Sequence, residues 1–477
     1  MRPILTPDEM RAADERTIAA GTPAAVLMYR AGREVAWAVR RRAGSCYGLR
    51  VVAVCGKGNN GGDGLVAAET LERWGARVER VRLHEGLDRA TVERLLARGS
   101  VVVDAMFGTG FSGALEGDAA WLVDVVTSSQ ASVVAVDIPS GVDGSTGAIE
   151  GTAIRADATV VMAALKPGLV QEPGRSHAGE IEVADIGIDP GDPELGLTEA
   201  SDIRRWISGR GATANKWLAG VMVVGGSAGM TGAPMMVSHA ALRAGAGIVW
   251  CGIPADAGSV AGTEVIIRPL PSADGALAAE AGSAVLGVLD RFRSLVVGPG
   301  LGTHPATTSV VRSIVTAARP ALVLDADGLN AFAGDVALLR ERRDRPTVVT
   351  PHAGEFARLM GAPVGDDRVA AARLLATRSG AVTVLKGSGT VVAAPDGRAV
   401  VNPTGSAALA TAGTGDVLSG IIGGLLARGA PAFEAAAAGA FVHGAAADVL
   451  PTEGLVAPDL LTAVPRVLEE LVAGDGS

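Results

Sequence analysis

A run of small residues ending in one acid, TAGTGD at residues 411–416, has the clearest chemical potential in the sequence. An apolar helical pattern follows it directly, at 417–427. Backbone N–H groups at a helix start bind anions, and glycines let a ligand approach them closely. The stretch therefore predicts phosphate chemistry on a hydroxyl group, with Asp416 at the edge of the anion site. A simple helix N-cap or a plain turn is the alternative, because Asp is a favoured cap and small residues are common in turns.

Polar and glycine-rich loops also follow other apolar, strand-like runs of the second half. They are GGSAGMTGA (225–233), GPGLG (298–302), DADGLN (325–330), TPHAGEF (350–356) and KGSGT (386–390). In an open α/β sheet, ligands bind beyond the carboxyl ends of the strands, so these loops are expected to share one edge with the anion site. His352 is either a helix cap or a ligand contact, and Lys386 is either a surface cation or a phosphate partner.

The first half contains three comparable loops. They are GKGNNGGDG (56–64), DAMFGTGFSG (104–113) and DIPSGVDGSTG (137–147). Their spacing matches neither the dinucleotide fingerprint nor the P-loop, and any single acid in them could be a turn former. Asp104 and Asp137 are nevertheless expected at adjacent or nearly adjacent strand ends. Three loops of this kind at one sheet edge predict a second ligand site.

Alternating strand and helix patterns must position these loops. Strand–helix–strand repeats predict parallel sheets covered on both faces. A segment rich in Pro, Gly and acids at 188–203 breaks the rhythm, so we predict two α/β domains, at residues 1–200 and 204–477. The elements predicted around the sites include helices near 7–19, 23–42 and 64–75, a hairpin at 390–403, and helices at about 415–428, 431–449 and 456–473.

The composition excludes several classes of protein. The chain has 477 residues, 48% of them hydrophobic, and a net charge of −9 without a basic cluster, which argues against a nucleic-acid partner. Its three scattered cysteines fit neither a disulfide framework nor a zinc site. The amino terminus has no apolar signal segment, and the longest uncharged stretches suit buried helices better than membrane spans. A cytoplasmic protein without a membrane partner is expected.

The motifs taken together resemble a known family. In the first half these are NNGGDG, FGTG and DIPSG, and in the second they are GGSAGMTGA, ALRAGAG, GPGLG, LDADGLN, TPHAGEF, LKGSGT and AGTGD. Over nearly the whole chain, their order is similar to that of the bifunctional NAD(P)H-hydrate repair enzymes, an epimerase fused to an ADP-dependent dehydratase. The resemblance implies a Rossmann-like three-layer α/β/α sandwich, followed by a ribokinase-like α/β/α domain.

For the epimerase domain, the resemblance implies a substrate site, a proton-transfer residue and a potassium ion. Asp137 would transfer the proton, and the oxygen-bearing side chains of Asn60, Asp104 and Ser140 resemble potassium ligands. The residues implied to contact the hydrated nucleotide are Asn59, Asn60, Gly61, Gly62, Asp63, Gly108, Thr109, Gly110, Phe111, Ser112, Gly113, Ala114 and Asp137.

For the dehydratase domain, the resemblance implies a hydrate pocket beside an adenine nucleotide. Ala233, Gly302, His352 and Asp416 would line the pocket, with Asp416 as the base. An ordinary carboxylate with a pKa of about 4 is expected to suffice there, because phosphoryl transfer asks little of the base. ADP would be the phosphoryl donor and magnesium would accompany it. The residues implied to hold the nucleotide are Lys386, Gly387, Ser388, Gly389, Thr390 and Gly415.

Two departures from the family pattern and two alternative functions remain open. The dehydratase module often begins with His-Lys-Gly, where this chain has Asn215-Lys216-Trp217, and Tyr29 stands where a Glu often precedes Arg-Ala-Gly. One alternative is a vitamin or other small-molecule kinase of the same fold, and the other is a nucleotide-binding sensor without turnover. The expected substrates are the hydrates of NADH and NADPH, and the chain is expected to form a homo-oligomer.

Overall fold

The computed structural model describes residues 1–209, 215–258 and 264–473. The chain divides into two compact units, an amino-terminal unit from Arg2 to Leu195 and a carboxyl-terminal unit that begins at Gly196. Among the described helices, none combines the length and the apolar character that crossing a membrane requires.

The amino-terminal unit is built on a parallel sheet. Its strands run in the order β3-β2-β4-β5-β6-β7, and every neighbouring pair is parallel. The chain leaves β2 toward β3 and then returns to β4 on the other side of β2, so the order reverses between β2 and β4. The strands of this sheet are β2 (Arg50–Cys55), β3 (Arg77–Arg82), β4 (Val101–Ala105), β5 (Ser132–Val136), β6 (Ala158–Met162) and β7 (Glu180–Ala184), while the short strand β1 (Arg2–Pro3) lies outside it.

Helices cover both faces of this sheet. One buried apolar cluster joins the first three helices to one face, and another joins α4 and α5 to the other face. The unit is therefore the three-layer α/β/α sandwich that the sequence predicts, with a core made mostly of Ala, Val and Leu. The helices are α1 (Pro7–Ala19), α2 (Ala24–Ala43), α3 (Asn59–Arg73), α4 (Arg89–Leu96), α5 (Gly117–Ser128) and α6 (Gly174–Ala178).

Helix α3 begins earlier than the apolar pattern predicts. The NNGGDG motif forms its first turns, so the helix starts at Asn59 rather than near residue 64. Its glycines allow close packing on the strand ends. A Cβ on Gly61 would lie 2.1 Å from the carbonyl oxygen of Gly56, and one on Gly64 would lie 2.4 Å from the Cβ of Ala105. The motif therefore places the N–H groups of a helix start directly beside the ends of β2 and β4.

The carboxyl-terminal unit contains a second, mixed sheet. Within the unit, its strands run in the order β19-β18-β17-β16-β15-β14-β9-β10-β11, parallel from β17 to β11. The predicted hairpin is confirmed, because β18 and β19 pair antiparallel around residues 395–397. The strands of this sheet are β9 (Gly220–Val224), β10 (Ile248–Pro254), β11 (Ile266–Leu270), β14 (Ser294–Val297), β15 (Ala321–Leu324), β16 (Thr347–Val349), β17 (Val382–Leu385), β18 (Val391–Ala393) and β19 (Ala399–Val401), with β8 (Leu195–Leu197) at the boundary. The strands β12 (Ser272–Ala273) and β13 (Ala276–Leu277) form a separate antiparallel pair.

Helices cover this sheet too. A large buried cluster joins α8, α14, α15 and α16 to one face, while Met222, Leu295 and Leu322 are buried on the other. The helices of the unit are α7 (Ala200–Trp206), α8 (Gly232–Arg243), α9 (Glu280–Leu286), α10 (Pro305–Ala317), α11 (Asp327–Asn330), α12 (Ala353–Met360), α13 (Arg368–Ser379), α14 (Thr414–Ala427), α15 (Ala432–Asp448) and α16 (Ala457–Ala473).

Helix α14, which follows the TAGTGD stretch, packs against α8 through a glycine. A Cβ on Gly420 would lie 2.3 Å from the carbonyl oxygen of Val237 and 2.6 Å from the Cβ of Ala240. Only a residue without a side chain permits this approach of the two helices. The contact fixes where α14 lies on the sheet, and therefore where its amino-terminal amides point.

We expect Gly420→Ala to destabilise the carboxyl-terminal unit by roughly 1–3 kcal/mol, since the added methyl group must push two helices apart. The matched control is Gly282→Ala in α9, where a Cβ would meet its nearest neighbour, the Ser313 Oγ, at 3.7 Å. That control should be neutral or stabilising by about 0.5–1 kcal/mol. Urea unfolding measures both, and equal stability of the two variants would contradict the packing argument.

Candidate active sites

A cavity of about 690 Å³ lies at the carboxyl ends of the strands in the amino-terminal unit, where the strand order reverses. The structure brings most of the residues predicted for the epimerase site to its wall. Those lining it are Asn59, Asn60, Asp63, Gly108, Thr109, Gly110, Phe111, Ser112 and Asp137. The predicted residues that do not line it are Gly61, Gly62, Gly113 and Ala114.

The three predicted potassium ligands are linked by hydrogen bonds at the ends of β4 and β5, which pair as expected. The backbone N and the Oγ of Ser140 donate to the two carboxylate oxygens of Asp104, at 2.8 and 2.6 Å. Phe107 N donates to Ser140 Oγ, and Asn60 Nδ2 donates to the Phe107 carbonyl oxygen.

These residues fit a hard cation. Asp104 is fully buried, and burial raises its pKa to about 6 against the opposing effect of the Ser140 hydrogen bonds. In the described parts of the chain, Asp104 forms no ion pair with a basic side chain. A buried carboxylate without a cationic partner is costly, and oxygen donors suit a hard ion. The donor set of Asn60, Asp104 and Ser140 is therefore compatible with potassium.

Asp137 follows β5 in a conformation that non-glycine residues rarely adopt, with φ at +65°. Its Oδ1 accepts hydrogen bonds from Met162 N at 3.1 Å and from the ammonium group of Lys166 at 2.5 Å. Lys166 is fully buried and also donates to the Met162 carbonyl oxygen at 2.9 Å. The strained backbone and this ion pair hold the Asp137 carboxylate at the cavity wall.

Two further carboxyl groups line the same cavity. Asp63 of α3 is only 9% exposed, and burial, together with the negative charges of Asp137 and Asp14, raises its pKa to about 8. Burial also raises the pKa of Asp14 on α1, against the opposing effect of Lys166. At neutral pH the Asp63 side chain is therefore mainly a carboxylic acid that can donate a proton.

In the carboxyl-terminal unit, Lys386 stands at the centre of a cluster of acids. Its Nζ lies 2.9 Å from Asp325 Oδ1 and 3.6 Å from Glu355 Oε2. Ser419 Oγ donates to the other Asp325 oxygen at 2.6 Å. Burial alone would raise the pKa of Asp325, but Lys386 and Ser419 outweigh it and lower the pKa below its usual value. Lys386 is therefore no surface cation.

The start of α14 lies beside this cluster. Gly413 is the N-cap with φ at +91°, so Asp416 is the third residue of the helix and the simple N-cap alternative for it is excluded. Lys386 Nζ lies 3.6 Å from where a Cβ on Gly415 would stand. The site thus combines helix-terminal amides with the ammonium group of Lys386 and the carboxyl group of Asp416, as recognition of a transferred phosphoryl group requires.

The expectation of an ordinary carboxylate at position 416 is wrong. Burial, together with the negative charge of Asp325, raises the pKa of Asp416 to about 7, although Lys386 opposes the shift. The sequence could not show this, because it depends on neighbours that the fold brings in. A group with a pKa near neutrality is better matched to accept a proton at physiological pH.

His352 serves as the N-cap of α12. Its Nδ1 accepts from the backbone N of Gly354 at 2.9 Å, and Glu355 completes the capping box by accepting from His352 N. The ring is 55% exposed and its Nε2 lies 3.5 Å from Glu355 Oε1. The cap interpretation therefore holds, and the exposed ring edge is free to contact a ligand as well.

The other residues predicted for this site lie on the loops after β9, β14 and β17. Ala233 is the second residue of α8, and its Cβ lies 3.5 Å from the point where a Cβ on Gly300 would stand. Gly302 N donates to Asp327 Oδ2 at 2.9 Å. The KGSGT loop contains two glycines with positive φ, and Thr390 Oγ1 donates to the Gly387 carbonyl oxygen.

A buried histidine lies near the same region on the next helix. His443 of α15 is close enough to the backbone of Thr414, the first residue of α14, for that backbone to act on its pKa. Burial is the larger effect and lowers the pKa of His443 to about 4, so the imidazole is neutral at physiological pH. A neutral ring adds no charge to the phosphate site.

The departure at residues 215–217 is structural. Asn215 caps a short 3₁₀ turn before β9 by accepting from Trp217 N at 3.1 Å, and Trp217 packs edge-on against Trp250 and Phe292. This lies before the amino end of β9, whereas the candidate site lies beyond the carboxyl ends. Tyr29 is on α2 and is largely exposed.

Two family models match the chain, one in each half. The model described as NAD(P)H-hydrate dehydratase matches residues 221–466, and the model described as the YjeF-related protein N-terminus matches residues 24–93 and 82–168. A bifunctional NAD(P)H-hydrate repair enzyme of Salinibacter ruber is 40% identical over 98% of this chain and 96% of its own length. The chain belongs to the bifunctional NAD(P)H-hydrate repair enzyme family.

A second repair enzyme matches over most of the chain, and a solved structure matches the fold of part of it. The enzyme of the same name from Moorella thermoacetica is 40% identical over 94% of this chain and 93% of its own length. A ribokinase-like superfamily protein of Enterococcus faecalis matches in structure with a TM-score of 0.50 at 21% identity, over 60% of this chain and 99% of that one. The ribokinase-like fold expected for the second half is confirmed.

Several residues that the structure brings to the two candidate sites were not predicted as site residues. Lys166 follows the predicted strand at 158–165 by one position, and Asp14 lies in the predicted first helix. Asp325 and Glu355 fall inside the motifs DADGLN and TPHAGEF, directly after or close to strand ends. Lys166 and Asp325 could have been selected as polar residues that directly follow a predicted strand. Asp14 follows no strand and carries no such signal.

The raised pKa of Asp63 predicts a specific dependence of stability on pH. Above the unfolded-state pKa of about 3.9, the unfolded chain loses the Asp63 proton while the folded chain keeps it up to about pH 8. Stability then falls as pH rises through this window, by up to about 1.4 kcal/mol per pH unit from this group. Asp63→Asn should remove that contribution, so the variant gains stability relative to the parent protein between pH 5 and 8.

Urea unfolding at a series of pH values measures this difference. Asp118→Asn is the matched control, since Asp118 lies on α5 outside the cavity and is paired with Arg89 at the surface. A constant difference between Asp63→Asn and the parent protein across the window would contradict the assignment of a protonated Asp63.

Proposed function

We propose that the chain repairs hydrated NADH and NADPH. The amino-terminal unit interconverts the R and S epimers at C6 of the hydrated ring. The carboxyl-terminal unit dehydrates the S epimer with ADP, which yields AMP and phosphate and regenerates the reduced cofactor. Family membership supports both activities, and the observation that carries the dehydratase assignment is the placement of Lys386, Gly415 and Asp416 around one point.

The chemistry explains why a dehydratase uses a kinase-like fold. Hydroxide is a poor leaving group, so the C6 hydroxyl must first be converted into a better one. Transfer of the terminal phosphoryl group of ADP to that oxygen releases AMP. The C6–O bond then breaks as phosphate leaves, a proton departs from C5, and the C5–C6 double bond of the reduced cofactor is restored.

Each group in the carboxyl-terminal site has a role in that sequence. Asp416 accepts the proton of the hydroxyl as it attacks phosphorus, and its pKa of about 7 suits this role. The amides at the start of α14 and the ammonium group of Lys386 stabilise the oxygens of the moving phosphoryl group. The KGSGT loop, Lys386 to Thr390, holds the nucleotide, and Ala233, Gly302 and His352 line the hydrate pocket.

Magnesium fits this site as a partner of the nucleotide. In the described residues, no group of three or more His, Cys, Asp or Glu side chains could hold a metal ion without help. Mg²⁺ bound to nucleotide phosphates needs only one or two protein carboxylates, and those of Glu355 and Asp416 lie near Lys386. When bound, magnesium would neutralise charge on the transferred phosphoryl group.

The epimerase activity explains the second site. The dehydratase accepts one epimer, so the other would accumulate unless a site in the same chain converted it. Asp137 is the proton-transfer residue of this site, and the Lys166 ammonium group orients it. Potassium would be held by Asn60, Asp104 and Ser140, and its charge would offset that of the buried Asp104 carboxylate.

Asp416→Asn should reduce repair by at least roughly 10²-fold, because the amide cannot accept the hydroxyl proton. The assay mixes the protein with hydrated NADH and ADP and follows the return of reduced-nicotinamide absorbance together with release of AMP and phosphate. Asp344→Asn, at a side chain that is 91% exposed, is the matched control and should retain full activity. Full activity of Asp416→Asn would remove this residue as the base.

Asp137→Asn should leave the R epimer unconsumed while the S epimer disappears at the normal rate. The reason is that this variant removes proton transfer in the amino-terminal cavity and leaves the dehydratase site intact. Chromatographic separation of the two epimers during the reaction measures the effect above slow spontaneous interconversion. If both epimers vanish at the parental rate, Asp137 has no part in epimerisation.

A further inference from the structure

Asp63 is a buried acid without an assigned partner in the amino-terminal cavity. It projects from the first turns of α3 and lines the same cavity as Asp137. Within the described residues, its side chain has no recorded hydrogen bond or ion pair. The two carboxyl groups are close enough for the charge of Asp137 to act on Asp63. A structural role would give Asp63 a hydrogen-bond partner, and a buried polar group that faces a cavity without one is available to a ligand.

The charges around this cavity favour one protonated carboxyl group. Asp14, Asp63 and Asp137 line it, and the single buried ammonium group, that of Lys166, is already paired with Asp137. Lys57 also lines the cavity but is exposed to solvent. Three buried or half-buried carboxylates facing one buried cation would be costly, so the unpaired and most buried one, Asp63, takes the proton.

We propose that Asp63 is the catalytic acid of the epimerisation and works opposite Asp137 as the catalytic base. This inference rests on the proposed epimerase function. An ion-paired carboxylate and an unpaired carboxyl group in one cavity form the acid and base pair that a reaction without net proton change needs.

The step balances without a further reactant. Asp137 removes the proton of the C6 hydroxyl, the C6 oxygen forms a carbonyl, and the bond from C6 to the ring nitrogen N1 breaks. Asp63 gives its proton to N1, which carries the released electron pair. Rotation about the C5–C6 bond then presents the opposite face of the aldehyde carbonyl to N1. Reclosure returns the proton from N1 to Asp63 and that of Asp137 to the C6 oxygen, so the opposite epimer forms.

Ring opening is favoured over loss of the hydroxyl by the electronic structure of the hydrate. The electron pair of N1 is delocalised through the C2–C3 double bond into the carboxamide. This delocalisation makes N1 a better leaving group. It also makes the N1 electron pair less able to expel hydroxide from C6. An acid next to N1 and a base next to the hydroxyl are then the two groups required.

The deciding experiment compares Asp63→Asn and Asp63→Glu with the parent protein and with the control Asp118→Asn. Asparagine keeps the shape and neutral charge of the protonated acid, so substrate binding should persist. We expect kcat for conversion of the R epimer to fall by roughly 10²–10⁴-fold with KM changed little. Asp63→Glu should recover part of kcat because it restores a proton donor. A parental kcat in Asp63→Asn, or no difference between the two variants, would overturn the proposal.

The same assay separates failure of this proposal from failure of the proposed function. Consumption of the S epimer with ADP reports the dehydratase site and should be unchanged in every variant. If the parent protein does not interconvert the epimers, the proposed function fails. If it does so and Asp63→Asn does so equally well, only the role of Asp63 fails. Should Asp63→Asn unfold, Asp63→Ser takes its place as the variant without an acid.

Isotope labelling tests the bond that breaks. The R epimer carrying ¹⁸O in its C6 hydroxyl is incubated with the parent protein without ADP, so the dehydratase site is idle. Ring opening retains the label in the S epimer, as mass spectrometry would show against a sample without protein. Loss of the label at the rate of epimerisation would overturn the ring-opening role of Asp63 as the acid that protonates N1.

Discussion

Parallel strands end at a common edge, and that constraint determines where chemistry occurs in both units. Every residue that follows a parallel strand is delivered to one side of the sheet, whatever its distance along the chain. Asp104 and Ser140 meet there in the amino-terminal unit, and Asp325 and Lys386 meet there although 61 positions separate them. Helix starts arrive at the same edge, so backbone amides and strand-end carboxylates share a small volume.

Each site pairs one lysine, fully buried at position 166 and partly buried at position 386, with an aspartate at a strand end. Lys166 holds Asp137, and Lys386 holds Asp325. The consequences differ because the neighbouring groups differ. Lys166 leaves Asp63 unpaired and protonated, which suits a reaction that returns its protons. Lys386 lies at the amino end of α14, where its charge adds to that of the helix amides, which suits the transfer of an anionic group.

The sequence predicted the architecture well because parallel α/β folds repeat a strong local pattern. The position after a strand also selected Asp137, and the helix-start pattern selected Asp416; both residues lie in stretches rich in glycine. It could not predict the start of α3, since NNGGDG has poor helix propensity and forms a helix only where its glycines pack on Gly56 and Ala105. Tertiary contacts overrode local preference at this site.

The pairing of side chains and their protonation were beyond the reach of the sequence. Lys166 ends an apolar run and gives no local sign that it is buried against Asp137. The raised pKa of Asp416 likewise depends on burial and on Asp325, a residue 91 positions away. Motif reasoning can therefore name the residues at an edge, but the fold decides which of them carry protons.

Burial that raises the pKa of a carboxyl group also destabilises the folded chain at neutral pH, because the unfolded state would release the proton. Asp63, Asp104 and Asp416 all carry this cost, at positions where an apolar residue would be more stable. A purely structural unit would have no reason to retain three such groups. Their concentration at the carboxyl edges of two sheets is the pattern of sites in which ligand binding and proton transfer are worth more than stability.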